Sequence, residues 1–127
     1  MNMPFELGMD HACRKFGEGD LGSKAILILE HTRYDYQKTL SDISGWDIEA
    51  HEGNYEIAIR KVRSWLKAQS GTQVVGASQI TGQYIAFQEW YWERERAAGS
   101  TEADIKEYPT VEVVRAMRDW MDAGQQF

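Results

Sequence analysis

The stretch Lys24-Ala25-Ile26-Leu27-Ile28-Leu29-Glu30 decides the fold. Its apolar run is bounded by charges, too short for an amphipathic helix and without helical period. It therefore reads as a strand buried on both faces, the pattern of a parallel sheet. Trp46 to His51 reads as a second, shorter strand. Between them Tyr36, Leu40 and Ile43 fall on one helical face before Gly45 supplies a stop. Strand, helix, strand is a crossover unit, so the expected class is α/β, rich in helix around a short parallel sheet.

Upstream, Pro4 suits the first turn of a helix, and Phe5, Met9, Ala12, Cys13 and Phe16 recur at helical spacing as one apolar face. Gly17, Gly19 and Gly22 break it. Downstream, Asn54 is placed to cap a helix with a buried stripe of Tyr55, Ala58, Ile59, Val62, Trp65 and Leu66. Arg60, Lys61, Arg63 and Lys67 form its opposite, solvated face. After the loop from Gly71 to Gly76, Ser78 opens a long helix that carries Ile80, Tyr84, Phe87 and Tyr91 at three- and four-residue steps and ends at Gly99. Trp90 and Trp92 flank that stripe, which suits either packing between the C-terminal helices or an interface with another protein. A helical turn from Thr101 to Glu107 is cut by Pro109. Thr110 then caps a last helix with Val113, Val114, Met117, Trp120 and Met121 on its buried side, and Gly124 ends it. The division is residues 1–70 as the α/β portion and 71–127 as a helical extension packed on the same core.

Composition narrows the function classes. A chain of 127 residues is the size of one ordinary domain and can bury roughly two thirds of the surface exposed when unfolded. The formal charge of −6 gives no general attraction to nucleic acid or anionic lipid, so neither is expected as a partner. Cys13 is the single cysteine, which precludes an intrachain disulfide, suits a reducing compartment and reads as a small buried hydrophobe. The apolar run Ala25 to Leu29 falls far short of the ~20 residues of a spanning helix. With no basic-then-apolar leader pattern, a cytoplasmic location is expected.

Two strands cannot make a stable sheet alone, and a strand as apolar as Ala25 to Leu29 wants a neighbour on each edge. The segment Asn2-Met3-Pro4-Phe5-Glu6-Leu7-Gly8 resembles the glutamate-bearing helix of the TIR-like and nucleoside 2-deoxyribosyltransferase-like superfamily. In that superfamily a Phe-Glu-Leu-Gly element opens a helix and is followed by an apolar strand. The resemblance to uncharacterised bacterial TIR-like proteins continues through Tyr34-Asp35-Tyr36-Gln37, Leu40-Ser41-Asp42-Ile43-Ser44-Gly45, Asp47-Ile48 and Ile59 to Leu66. It extends to Phe87-Gln88-Glu89-Trp90 and Glu107-Tyr108-Pro109. It implies a flavodoxin-like or TIR-like domain lacking its N-terminal strands, with this chain as the downstream half. The sheet edge so left open predicts dimerisation or aggregation.

The resemblance further implies cleavage or transfer at the N-glycosidic bond of NAD or of a nucleoside or nucleotide, in a bacterial cytosolic protein of antiphage defence. Glu6 would be the catalytic carboxylate, with Phe5, Gly8 and Asp10 as substrate contacts. A negative charge beside C1′ suits this chemistry because the ribose becomes oxocarbenium-like as the bond breaks. Gly8 would permit close approach of a ligand, and Asp10 would hold a ribose hydroxyl. The competing readings are structural: a glutamate in a helix's first turn is favoured by the macrodipole, and Asp10 stands four residues before Arg14. Ser41, Asp42 and Asp47 read as ordinary turn residues. His11, His31 and His51 lack metal-ligand spacing, so a zinc site is rejected and no cofactor is expected beyond the nucleotide as substrate. The rival function is a non-enzymatic nucleotide-binding or protein-interaction module, or an inactive truncated fragment.

Overall fold

The structure, a computed structural model, describes residues 3–38, 43 and 46–124. The chain divides into two compact units, Met1–Val74 and Val75–Phe127. Helix α1 (Met3–Phe16) opens the first unit and a 3-10 helix (Gly19–Ser23) leads into strand β1 (Leu27–Glu30). A second 3-10 helix (Asp35–Lys38), strand β2 (Asp47–Ala50) and helix α2 (Tyr55–Ser70) complete it. Among the described residues the sheet has these two strands, paired in parallel with Leu27 opposite Asp47 and Glu30 opposite Ala50. The expected helix-rich α/β class with a short parallel sheet is therefore present.

Several expectations for this unit need correction. Strand β1 is shorter than the apolar run and is not buried on both faces: Leu29 is 37% exposed, and the buried member is Glu30. A run of apolar residues records a preference for burial, and the described residues do not cover both sides of so narrow a ribbon. The apolar face of α1 is likewise open, with Phe5, Met9 and Phe16 at 70%, 56% and 77% exposure. Cys13 is exposed instead of packed. The crossover begins as a 3-10 helix, while Leu40, Ser41, Asp42 and Gly45 lie outside the described residues. The stripe of α2 is half-buried at Ala58, Ile59, Val62 and Trp65, while Tyr55 and Leu66 are exposed.

The caps explain where α2 starts and stops. The Asn54 side chain accepts the backbone N–H groups of Glu56 and Ile57 at 2.8 and 3.2 Å, satisfying two of the donors a helix start leaves open. Gly71, at φ 63°, takes the left-handed conformation that closes the other end.

In the second unit helix α3 (Ala77–Ala97), helix α4 (Glu102–Glu107) and helix α5 (Thr110–Asp122) enclose their own core. Phe87, Tyr91, Ile105, Ala116 and Trp120 are its buried members, and Trp90, Trp92, Val113 and Met117 pack against them. The Trp90 and Trp92 rings thus serve packing within this unit. The Phe87 ring stacks on Tyr91 at 5.6 Å and meets Trp120 nearly edge-on at 5.9 Å. Such pairs contribute about 0.5–1.5 kcal/mol each beyond buried area. Two starts differ from expectation: α3 begins at Ala77 behind Gly76, and Thr110 is the first helical residue of α5, with Pro109 at the cap position. Proline's fixed φ presets the entry, so no side-chain cap is made there. On α5 Val114 and Met121 are exposed, whereas Ala116, absent from the expected stripe, is buried.

Two predictions follow from the caps. Asn54→Ala should cost about 1 kcal/mol, read as a lowered denaturation midpoint of the first unit. In α4, Asp104 accepts the backbone N–H of Thr101 at 2.8 Å and its hydroxyl at 2.6 Å. The Thr101 hydroxyl, and after it the backbone N–H, holds the Asp104 carboxyl below its ordinary 3.8. A depressed folded-state value stabilises above the unfolded value, and that contribution is lost as pH falls through the folded one. Acidification from about pH 5 to about pH 2 should therefore lower the protection of the α4 amides relative to their intrinsic exchange rates at each pH, and Asp104→Asn should remove most of that pH dependence.

Candidate functional site

Helix α1 carries all the residues singled out for catalysis or substrate contact. Glu6, Asp10 and Arg14 recur at four-residue steps and so share one side of the helix. Glu6 is exposed and forms no ion pair among the described residues. Phe5 also faces solvent, and a Cβ built on Gly8 would meet nothing within 4 Å. The close approach suggested for Gly8 therefore has no counterpart within the described residues.

Asp10 corrects the four-residue pairing: its carboxylate holds Lys24, just before β1, and not Arg14. The Asp10 hydrogen bond raises the Lys24 pKa above its ordinary value. Arg14 instead lies over the Trp46 ring, 5.9 Å from its centroid, and His11 approaches the same ring at 5.0 Å. Lys24 and Trp46 sit just ahead of the two strands, so both contacts fasten α1 to the amino-terminal edge of the sheet.

A cleft of about 210 Å³ opens at that edge, lined by Arg14, Ser23, Lys24, Trp46, Asp47 and Gln69 together with Ala25 and Ile26. Asp47 is already engaged, accepting the Trp65 indole N–H at 2.8 Å and the Gln69 amide at 3.5 Å. Arg14 forms no ion pair among the described residues. The cleft thus sets the Arg14 guanidinium and the half-exposed Lys24 ammonium beside the Asp47 carboxylate, while the Ser23 hydroxyl donates to the Asp20 carbonyl at 2.9 Å. The sequence reading missed it because its members come from four separated segments.

The carboxyl-terminal edge is organised differently. Both oxygens of buried Glu30 accept backbone N–H groups, from Tyr34 at 2.8 Å and Tyr36 at 3.0 Å. This fixes the loop in which Tyr34 takes φ 69°. The His31 and His51 rings meet edge to face at 5.6 Å, a proximity their separation in sequence conceals. Nδ1 of His51 accepts the Gly53 N–H at 3.2 Å, which commits that lone pair to the turn. Among the described residues no group of three or more His, Cys, Asp or Glu could hold a metal ion. The histidines therefore brace the turn at residues 51–54, where Glu52 and Gly53 both have positive φ.

The basic face of α2 is only partly solvated. Lys61 pairs with Glu49 at 2.6 Å, and Arg63 donates to the Val74 carbonyl at 2.8 Å. Among the described residues no helix is long and apolar enough to cross a membrane. No family model matches the sequence, and no curated protein or solved structure is significantly similar to it.

The turn yields a direct test. A Cβ on Gly53 would stand 2.9 Å from Nε2 of His31 at a backbone φ of +70°. Gly53→Ala should therefore destabilise by about 1–2 kcal/mol through left-handed strain and displacement of the ring. Chemical denaturation, together with loss of the His31 to His51 proton contact in NMR, would check it.

Proposed function

We propose that this chain supplies the carboxylate-bearing helix of a flavodoxin-like, TIR-like domain that cleaves the N-glycosidic bond of NAD or of a related nucleoside or nucleotide. The supporting observation is the placement of Glu6. It stands in the first turn of α1, exposed and outside any described ion pair, on the helix that precedes the first 3-10 helix and strand β1. The substrate class and the antiphage role come from the resemblance of Phe5-Glu6-Leu7-Gly8 and the blocks that follow it.

On this reading Glu6 stabilises the positive charge that develops at C1′ as the base departs, or attacks C1′ to form a glycosyl ester that water then resolves. Charge stabilisation of this kind is strong only where water is excluded. Phe5 and Met9 flank Glu6 on α1 and are largely exposed, so a surface that covers them would also shield the carboxylate. The site is then completed by groups other than those described.

The second reading, an interaction module without catalysis, is favoured by that same open apolar surface. Incubation of the full-length protein with NAD and with nucleosides separates the two. Release of nicotinamide or free base is expected, with Glu6→Gln reducing the rate by at least about 100-fold. Equal release by both proteins would remove Glu6 from the chemistry. No release by either would favour the interaction module.

A further inference from the structure

We propose that helix α1 is a self-association surface, on which a second copy of this chain docks through its own α1 in antiparallel orientation. The helix has two sides with different fates. Asp10, His11 and Arg14, which hold it to its own unit through Lys24 and Trp46, cluster on one side, and half-buried Leu7 lies with them. At about 100° per residue, Phe5, Met9, Ala12 and Phe16 centre on the side diametrically opposite. All four are exposed. The contacts that anchor the helix therefore leave its apolar face turned outward.

The order of residues along that face identifies the occupant. Phe5, Met9, Ala12 and Phe16 follow one another at steps of four, three and four, the spacing of a coiled-coil seam. A two-fold interface requires a patch that complements itself. Turned end for end, this seam does so: Phe5 lies opposite Phe16 of the second copy, and Met9 lies opposite its Ala12, a long side chain against a short one. Gly8 borders the seam, exposed and with open space at its Cβ position, so the two backbones can approach closely there.

Charge selects the orientation. Glu6 stands in the first turn of α1, and Arg14 and Lys15 stand in the last. Antiparallel docking brings the acidic end of one helix alongside the basic end of the other and opposes the two helix dipoles, whereas parallel docking sets like ends together. The Lys15 ammonium lies over its own Phe16 ring, 5.5 Å from the centroid, and so borders the seam. From Phe5 to Phe16 the seam spans about 16 Å at 1.5 Å per residue. It buries less than the roughly 800 Å² per partner of a standard interface, so the dimer is reversible and forms at roughly tens of micromolar chain. This pairing requires nothing of the chemistry proposed for Glu6.

The test is sedimentation equilibrium of the full chain from about 1 μM to about 500 μM, with isotope-filtered NMR on a mixture of labelled and unlabelled protein. The mass should rise from one chain toward two. Contacts between the Phe5 and Phe16 rings should cross the label boundary. Those residues are about 16 Å apart along one helix, so such a contact arises only from an antiparallel pair. Ala12→Arg, in the middle of the seam, should raise the dissociation constant at least about tenfold. Met121→Arg, at an exposed apolar residue of α5, should leave it unchanged. A single-chain mass at every concentration would overturn the inference and leave the face to a different protein. A dimer that Ala12→Arg does not weaken, or one without the Phe5 to Phe16 contact, would overturn it as well.

Discussion

The parallel pairing of Leu27–Glu30 with Asp47–Ala50 is the constraint on which the first unit depends. A parallel ladder cannot be closed by a tight turn, so the chain between the strands must travel back across the sheet before β2 begins. Both strands then start at one edge and finish at the other. That is why Lys24 and Trp46, distant in sequence, meet at the amino-terminal edge, and why His31 and His51 meet at the opposite one. Helix α1 is tied to the first of these edges through Asp10 and the Trp46 ring. The ladder thus fixes which end of the helix can approach which edge of the sheet.

The second unit is held by a different principle. Its core is an aromatic cluster whose ring geometry is specific, with Phe87 stacked on Tyr91 and edge-on to Trp120. Around it the polar ends are closed locally: Thr101 and Asp104 form a reciprocal cap, and the Ser100 hydroxyl bonds the Tyr108 phenol at 2.5 Å. Burial raises the Tyr91 pKa, with Glu95 adding to the effect, so its phenol is kept neutral within the cluster. The first unit exposes much of its apolar material, whereas the second encloses its own.

What the sequence revealed follows from what periodicity can report. Local pattern located β1, β2, the Asn54 cap and the existence of α5, though not all of its buried face, because each depends on neighbours a few residues away. It could not report which stripe finds a partner. Phe5, Met9 and Phe16 have the spacing of a buried face and stand in solvent, and Leu29 has the character of a core strand and is partly exposed. Charge pairing failed for the same reason. Asp10 to Arg14 is the local option, but Lys24 reaches Asp10 from the next segment and Trp46 takes Arg14. Glu30 gave no signal, since a carboxylate ending a strand reads as a solvated boundary until the loop folds back to present two N–H groups to it. Placing Glu6 on an open helical turn was legible; the cleft, assembled from four segments, was not.

The exposure of α1 also bears on what a carboxylate there can accomplish. Two unit charges 4 Å apart interact by about 1 kcal/mol in bulk water and about 4 kcal/mol at an effective dielectric of 20. Glu6 in open solvent therefore stabilises an oxocarbenium ion only weakly, and a useful rate demands that water be displaced from its side of the helix. The residues that would make that displacement favourable are already in place. Covering an apolar side chain such as Phe5 or Met9 returns roughly 25 cal/mol for each Å² removed from water. Closure driven by those side chains would raise the dielectric advantage of Glu6 without any contact to its carboxylate. The apolar exposure of α1 and the proposed chemistry of Glu6 are in this sense one physical requirement, because the surface that satisfies the first is the surface that enables the second.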